Sequence, residues 1–148
     1  MLGPWTVARS LERIADHAVI LAEAGRRLVD LPQGSSTLVS LRQFHAQAMA
    51  HLEGVLASSD EATANDLLDM GEALAASGRS IGDRLLPVVN GVTIPPATAA
   101  AVARILESIG RTIAYAQDIA QVTLDQALPI AVLPDRPSSG RLSLPPAS

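Results

Sequence analysis

Glu12 and Asp16 stand four residues apart in Leu11-Glu12-Arg13-Ile14-Ala15-Asp16-His17-Ala18, a stretch with helical spacing. On a helix both carboxylates project from one face, one turn apart, with Cβ atoms roughly 5–6 Å from each other. Two acids so placed repel, and a hard or borderline cation bridging them removes that cost. The chemistry on offer is half of a metal site. A plainer reading is a solvated face, on which Arg9 and Arg13 supply partners to Glu12 and Asp16. Spacing alone favours the plainer one, because acid pairs at this interval are common.

Glu107 lies in a second copy of the same stretch. Val7-Ala8-Arg9-Ser10-Leu11-Glu12-Arg13-Ile14 returns as Val102-Ala103-Arg104-Ile105-Leu106-Glu107-Ser108-Ile109, 95 positions on and identical at six of eight. At the same offset Glu23 meets Asp118 and Asp30 meets Asp125. The second copy has Arg111 where the first has Asp16. Glu107 and Arg111 then form an (i, i+4) ion pair that needs no metal. That substitution weakens any claim of two equivalent metal sites.

The other reactive side chains point to structural roles. His17 falls about 100° round a helix from Asp16, as a surface or interface histidine. His45 falls in the apolar seam of its helix, as a buried neutral histidine with a hydrogen-bond partner. His51 faces elsewhere. Asp66, Asp69 and Glu72 step by three, with Asp83 further on, as a solvated face. No Glu-x-x-His occurs, so a ferritin-like di-iron site is excluded. There is no Gly-rich phosphate loop, no G-x-S-x-G elbow and no His-Glu-x-x-His. The absence of Cys removes disulfides, thiolate metal sites and cysteine nucleophiles. We assign no catalytic residue and expect no enzyme.

The elements that carry these residues are set by proline. None of the ten prolines falls within 5–31, 33–86 or 97–128, and proline breaks helix interiors. Helix one is expected from about Thr6 to Leu31, with the seam Val7, Leu11, Ile14, Ala18, Leu21, Gly25 and Leu28 in steps of four and three. Helix two runs from about Thr37 to Ala57, with N-cap candidates at Ser35 to Thr37. Its seam is Leu38, Leu41, His45, Ala48, Leu52 and Val55. Ser58-Ser59-Asp60-Glu61 has the capping-box form and starts helix three, about 59 to 86. That seam is Ala64, Leu67, Gly71, Leu74, Gly78, Ile81 and Leu85, in which the two glycines mark a close helix approach. Pro95-Pro96 opens helix four, about 96 to 127, with the seam Val102, Leu106, Ile109, Ile113, Ala116, Ala120 and Thr123.

The fold class expected is all-α: an antiparallel three-helix unit over 33–128, preceded at 1–32 by the last helix of an earlier unit. A repeat of this length means one supersecondary unit used more than once. Residues 129–148, with five of the prolines, form a tail that buries little and is expected to be disordered. The first helix must then pack on the three-helix unit or on another chain, because an isolated amphipathic helix is marginal in water.

Composition agrees. The 148 residues are 48% hydrophobic but 2% aromatic, which suits closely packed helices rather than a β sandwich. The mean hydropathy of +0.26 is high, yet no run approaches the roughly 18 apolar residues of a membrane span. The excess apolar surface is expected to meet another subunit or a further domain. The net charge is −4, all 11 bases are Arg, and no basic cluster occurs, which argues against direct nucleic-acid binding. No basic segment followed by an apolar one marks a signal peptide, so a cytoplasmic protein is expected.

The run Leu11-Glu12-Arg13-Ile14-Ala15-Asp16-His17-Ala18, followed by apolar residues and Ala22-Glu23, resembles the signature helix of the phosphate-uptake regulator family, PhoU, with Ala15 in place of a glycine. Leu106-Glu107-Ser108-Ile109-Gly110-Arg111 is a weaker match that keeps the Glu, Ile and Gly. The resemblance covers about residues 5 to 128 and is to the C-terminal portion of archaeal-like members. It implies two three-helix repeats, each ending in the motif helix, with most of the first lying before this segment. It also implies a non-enzymatic, often dimeric regulator of phosphate uptake that docks to a phosphate transporter or a sensor kinase. Some members hold multinuclear metal clusters through acid-x-x-x-Asp pairs, which here reaches Glu12 and Asp16 and half-reaches Glu107, so the resemblance implies Glu12, Asp16 and Glu107 as the candidate metal ligands, for a divalent or iron-type ion. Two alternatives stand beside this: a metal-binding sensor using the Glu12–Asp16 helix, and a dimerisation module of a transcriptional regulator whose DNA-binding domain is absent here.

Overall fold

The computed structural model describes residues 3–29, 31–32, 34–91 and 95–127; the proline-rich segment 129–148 lies outside them. The chain forms four α-helices: α1 Gly3–Gly25, α2 Ser36–Ala57, α3 Glu61–Gly91 and α4 Pro96–Ala127. A 3-10 turn, Arg26–Leu28, prolongs α1. No strand occurs among the described residues, and the all-α antiparallel bundle is the fold observed.

Helix α4 is the hub. It packs against α1, α2 and α3, and α2 also packs against α3. No Cα of α1 comes within 8 Å of one in α2 or α3. Close approaches give the directions. Gly3 of α1 faces Val122 and Gln126 of α4, and His17 faces Ser108, so α1 and α4 run antiparallel. Gly71 faces Gln117 and Gly82 faces Leu106, while Gly78 faces Phe44 and Gly54 faces Leu67, so α3 is antiparallel to both α4 and α2.

The core follows from this placement. One cluster gathers Leu38, Leu41 and Phe44 of α2, Ile81 and Leu85 of α3, and Val102, Ile105, Ile109 and Ile113 of α4. A second joins Leu52 and Val55 to Leu67, Ala116, Ile119 and Ala120. Burial of such side chains is the main favourable term in folding, each contributing about 1.5–3 kcal/mol for the larger ones. The expected seams of α3 and α4 are the buried faces observed. Gly71 and Gly78 mark the close approach their spacing implied. A Cβ on Gly71 would sit 2.8 Å from Gln117 Cγ, and one on Gly78 would collide with the Phe44 ring.

Several expectations need correction. In α1, Leu11, Ala18 and Gly25 are exposed, and Ser10 and Ala24 are the buried residues, because α1 meets only α4 and turns one narrow face to it. In α2 the buried face includes Phe44 and His51, whereas His45 is exposed. The large Phe44 ring wins the inner position, and the helix rotates to suit it. Asp60, not Ser58, caps α3. Its carboxylate accepts from the Thr63 backbone N–H at 2.9 Å and from the Thr63 hydroxyl at 2.8 Å. These bonds, the backbone one foremost, hold the Asp60 carboxyl below its ordinary range. Ser35 caps α2 through Leu38 N, as expected. Helix α3 passes through position 87 to Gly91 rather than stopping at about 86. The carbonyl that proline deprives of a donor belongs to the exposed Asp83, where solvent can take the donor's place.

The two like helices also do not play like roles. The copy in α4 is central and the copy in α1 is a flank, because α4 packs against three helices and α1 against α4.

Candidate functional site

The three candidate metal ligands do not converge. Glu12, Asp16 and Glu107 are all exposed, and among the described residues no three His, Asp or Glu side chains are grouped to hold a metal ion. Asp16 Oδ2 lies 3.9 Å from Arg13 Nη1, which is the plainer reading of its spacing. Glu107 and Arg111 stay exposed without closing the ion pair expected of them. The acids Asp66, Asp69, Glu72 and Asp83 are exposed along α3.

The histidines divide by environment. His17 sits in the α1–α4 seam, where Nδ1 lies 3.3 Å from Ser108 Oγ and the ring lies 6.0 Å from that of Tyr115. It is the interface histidine expected. His51 is 2% exposed, and neither ring nitrogen finds a hydrogen-bond partner among the described residues. Burial pushes its pKa below the ordinary value. His45 stands on the rim of an open groove.

No periodicity in the sequence predicts that groove. It has a volume of about 850 Å³. One wall is the C-terminal half of α1, from Ile14 through Leu21 to Val29. The opposite wall is α2, with Leu38, Leu41 and Met49. The floor is α4, at Ile105 and Ile109. Thr112, also on the floor, keeps its hydroxyl satisfied by donating to the Ser108 carbonyl at 3.0 Å. The lining is apolar, with Arg26, Arg42 and His45 at the edges.

The groove exists because α1 packs on α4 at a distance from α2. The α1 wall also carries an apolar stripe open to solvent: Leu11, Ala15, Ala18, Ala22, Gly25 and Val29, all exposed, of which the last four line the groove as well. These residues also step by four and three. The sequence thus carries the signal, but the four-and-three series also runs Leu11, Ala18 and Gly25 into the inner seam. Helix α1 is apolar on two sides, and periodicity alone does not say which side is covered.

No family model, no curated protein and no solved structure matches this chain. Among the described residues no helix is long and apolar enough to cross a membrane. What the groove and stripe offer is apolar contact over an extended, helix-shaped surface.

Proposed function

We propose that this chain is a non-enzymatic regulatory module of the PhoU kind, which acts in the cytoplasm by docking and turns nothing over. The observation that carries the reading is the position of the motif helix. Helix α1 is anchored to the bundle through α4 alone and leaves an apolar groove and an apolar stripe open beside it. An open face of this kind marks a protein contact more often than a bare surface. The Leu11–Ala18 run and its weaker return at Leu106–Arg111 support the phosphate assignment, and the implied partners are a phosphate transporter or a sensor kinase. Glu12, Asp16 and Glu107 enter this reading as surface charges.

The test is genetic. Deleting the gene should raise phosphate uptake in phosphate-replete cells. The wild-type chain should restore control, and Ala18→Glu, which puts a charge on the open face, should not. Unchanged uptake in the deletion strain would overturn the phosphate assignment.

A further inference from the structure

We propose that the groove between α1 and α2 binds a long-chain fatty carboxylate, with its methylene tail along the α4 floor and its carboxylate at Arg42 and His45 on the rim. The proposal goes beyond docking. It gives the groove a small-molecule ligand and holds whether or not a protein also meets that face.

Shape comes first, since the groove is long rather than round. Its α1 wall runs from Ile14 to Leu28, about 21 Å at the helical rise, and its α2 wall from Leu38 to Met49, about 16 Å. Carbon–carbon bonds in an extended chain advance about 1.25 Å each, so such a trough takes a tail of roughly fourteen to sixteen carbons. The volume of about 850 Å³ falls within the range of ligand sites, about 300–1,000 Å³. Small residues provide the width. Ala18, Ala22 and Gly25 stand along the α1 wall, and a Cβ on Gly25 would meet nothing within 4 Å.

The lining chemistry selects an aliphatic guest. No Phe, Tyr or Trp lines the groove, so a nucleobase or other flat ring finds no aromatic face to stack on. Branched aliphatic side chains dominate instead, with Met49, whose flexible thioether adapts to a guest of irregular shape. The hydroxyl on the floor, Thr112, already donates to the Ser108 carbonyl.

Charge selects the head group. The chain has 15 acids and 11 bases, yet the charged side chains lining the groove are Arg26 and Arg42, with His45 beside them and no Asp or Glu. Arg42 and His45 are three apart on α2, so they share a face and one anion reaches both. Arg26 adds positive charge from the α1 wall. An ionised carboxylate gains charge-assisted hydrogen bonds there that a neutral head does not.

The test is titration calorimetry of the full chain with sodium salts of rising chain length, each kept below its micelle concentration. Binding should saturate at one per chain. Each pair of methylenes added between decanoate and hexadecanoate should tighten it roughly tenfold. Dodecyltrimethylammonium, with the opposite charge, should bind at least roughly tenfold more weakly than dodecanoate. Arg42→Gln should weaken dodecanoate about tenfold and leave dodecanol within about twofold. Ala22→Leu and Gly25→Leu, which fill the trough, should each abolish binding while circular dichroism shows the helices retained. Vesicles of phosphatidylglycerol should not sediment the chain.

No saturable binding of any salt overturns the proposal, as does an affinity that ignores tail length. So does equal binding of the two head charges, an equal loss of dodecanol in Arg42→Gln, or full binding by both filled variants. Capture by the vesicles without binding of free dodecanoate makes the face a membrane contact instead. If dodecanoate binds only after Ile130→Asp and Leu133→Asp, the chain's own C-terminal segment is the occupant. If binding weakens as the chain is concentrated, a second copy is. The docking reading fails separately: it falls if Ala18→Glu restores phosphate control as well as wild type does, whatever the titrations show.

Discussion

Val7–Ile14 and Val102–Ile109 share most of their residues and almost none of their surroundings. Ile109 is fully buried where α4 meets three helices; Ile14, its counterpart, is half-buried at the edge of a groove. Burial here is a property of position in the bundle rather than of the local sequence. The residues that differ between the copies follow that position. Where α1 has Ser10 and Ala18, α4 has the buried Ile105 and Ile113. Where α1 has the exposed Arg13, α4 has the buried Ser108, small enough to let the His17 ring approach. In α4 the covered side carries the bulky Ile105, Ile109 and Ile113, whereas in α1 the covered counterpart of Ile105 is the small Ser10 and the counterpart of Ile113, Ala18, stands exposed.

The largest test of this contrast is the same truncation in both copies. Ile109→Ala removes atoms from a fully buried side chain packed among the residues of three helices beneath the groove floor, and should cost about 3–4 kcal/mol. Ile14→Ala leaves a gap that opens onto the groove, and should cost about 1 kcal/mol. Urea unfolding with matched slopes reads both. Equal costs would mean that α1 is as tightly enclosed as α4, and the contrast would be lost.

A second test compares the two partly or wholly covered histidines. His17, in the seam between the copies, has the Ser108 hydroxyl beside it; His51, on the three-helix side, has no partner among the described residues. Leaving a buried polar group unpaired costs about 1–3 kcal/mol, so His51→Leu, close in volume, should stabilise the fold by about 1–2 kcal/mol. The gain should depend on pH. Folding lowers the His51 pKa from 6.5, so the unfolded chain binds the proton more readily than the fold does. The wild-type fold is therefore at full strength above that pH, weakens as pH falls through it, and levels off below the folded value. Melting curves should show the margin of His51→Leu widening as pH falls from about 7.5 to about 5.5. A margin that is constant or shrinking would mean that His51 is paired or solvated after all.

How much of this was legible in the sequence depended on how one-sided each helix is. Helices α3 and α4 could be phased because Ala64-Leu67-Gly71 and Val102-Ile109-Ile113-Ala116 have polar residues behind them. Helix α2 was read slightly out of phase: His45 continues the four-and-three series from Leu41, but the volume of Phe44 decides which face goes inward. Ser58 fitted a capping pattern by type, yet Asp60 lies one residue before the helix and has the reach to hold Thr63 twice. Among site residues, Glu12, Asp16 and Glu107 were visible as types and spacings. The groove was not, since it is the gap left when α1 rests on α4 without reaching α2. No periodicity within a single helix encodes a gap between two.

The smallest expected effect concerns the residues with which the sequence first suggests chemistry. Asp16 stands where α4 has Arg111, so this position is the main difference in charge between the copies. Its carboxylate is 3.9 Å from Arg13, with both side chains more than half exposed. A pair of that kind contributes about 0–0.5 kcal/mol after screening. Asp16→Ala should therefore shift stability by no more than about 0.5 kcal/mol, partly offset by the better helix propensity of alanine. If Glu12 and Asp16 together bridged a cation, the same substitution would lower the bound metal measured by elemental analysis and remove any metal-dependent rise in melting temperature. The substitution thus separates two uses of one spacing. A change confined to a few tenths of a kcal/mol, with metal content unaltered, makes the acid pair part of the solvated outer face of the flanking helix. A loss of metal would give that helix a chemistry that its central copy, with Arg111, cannot share.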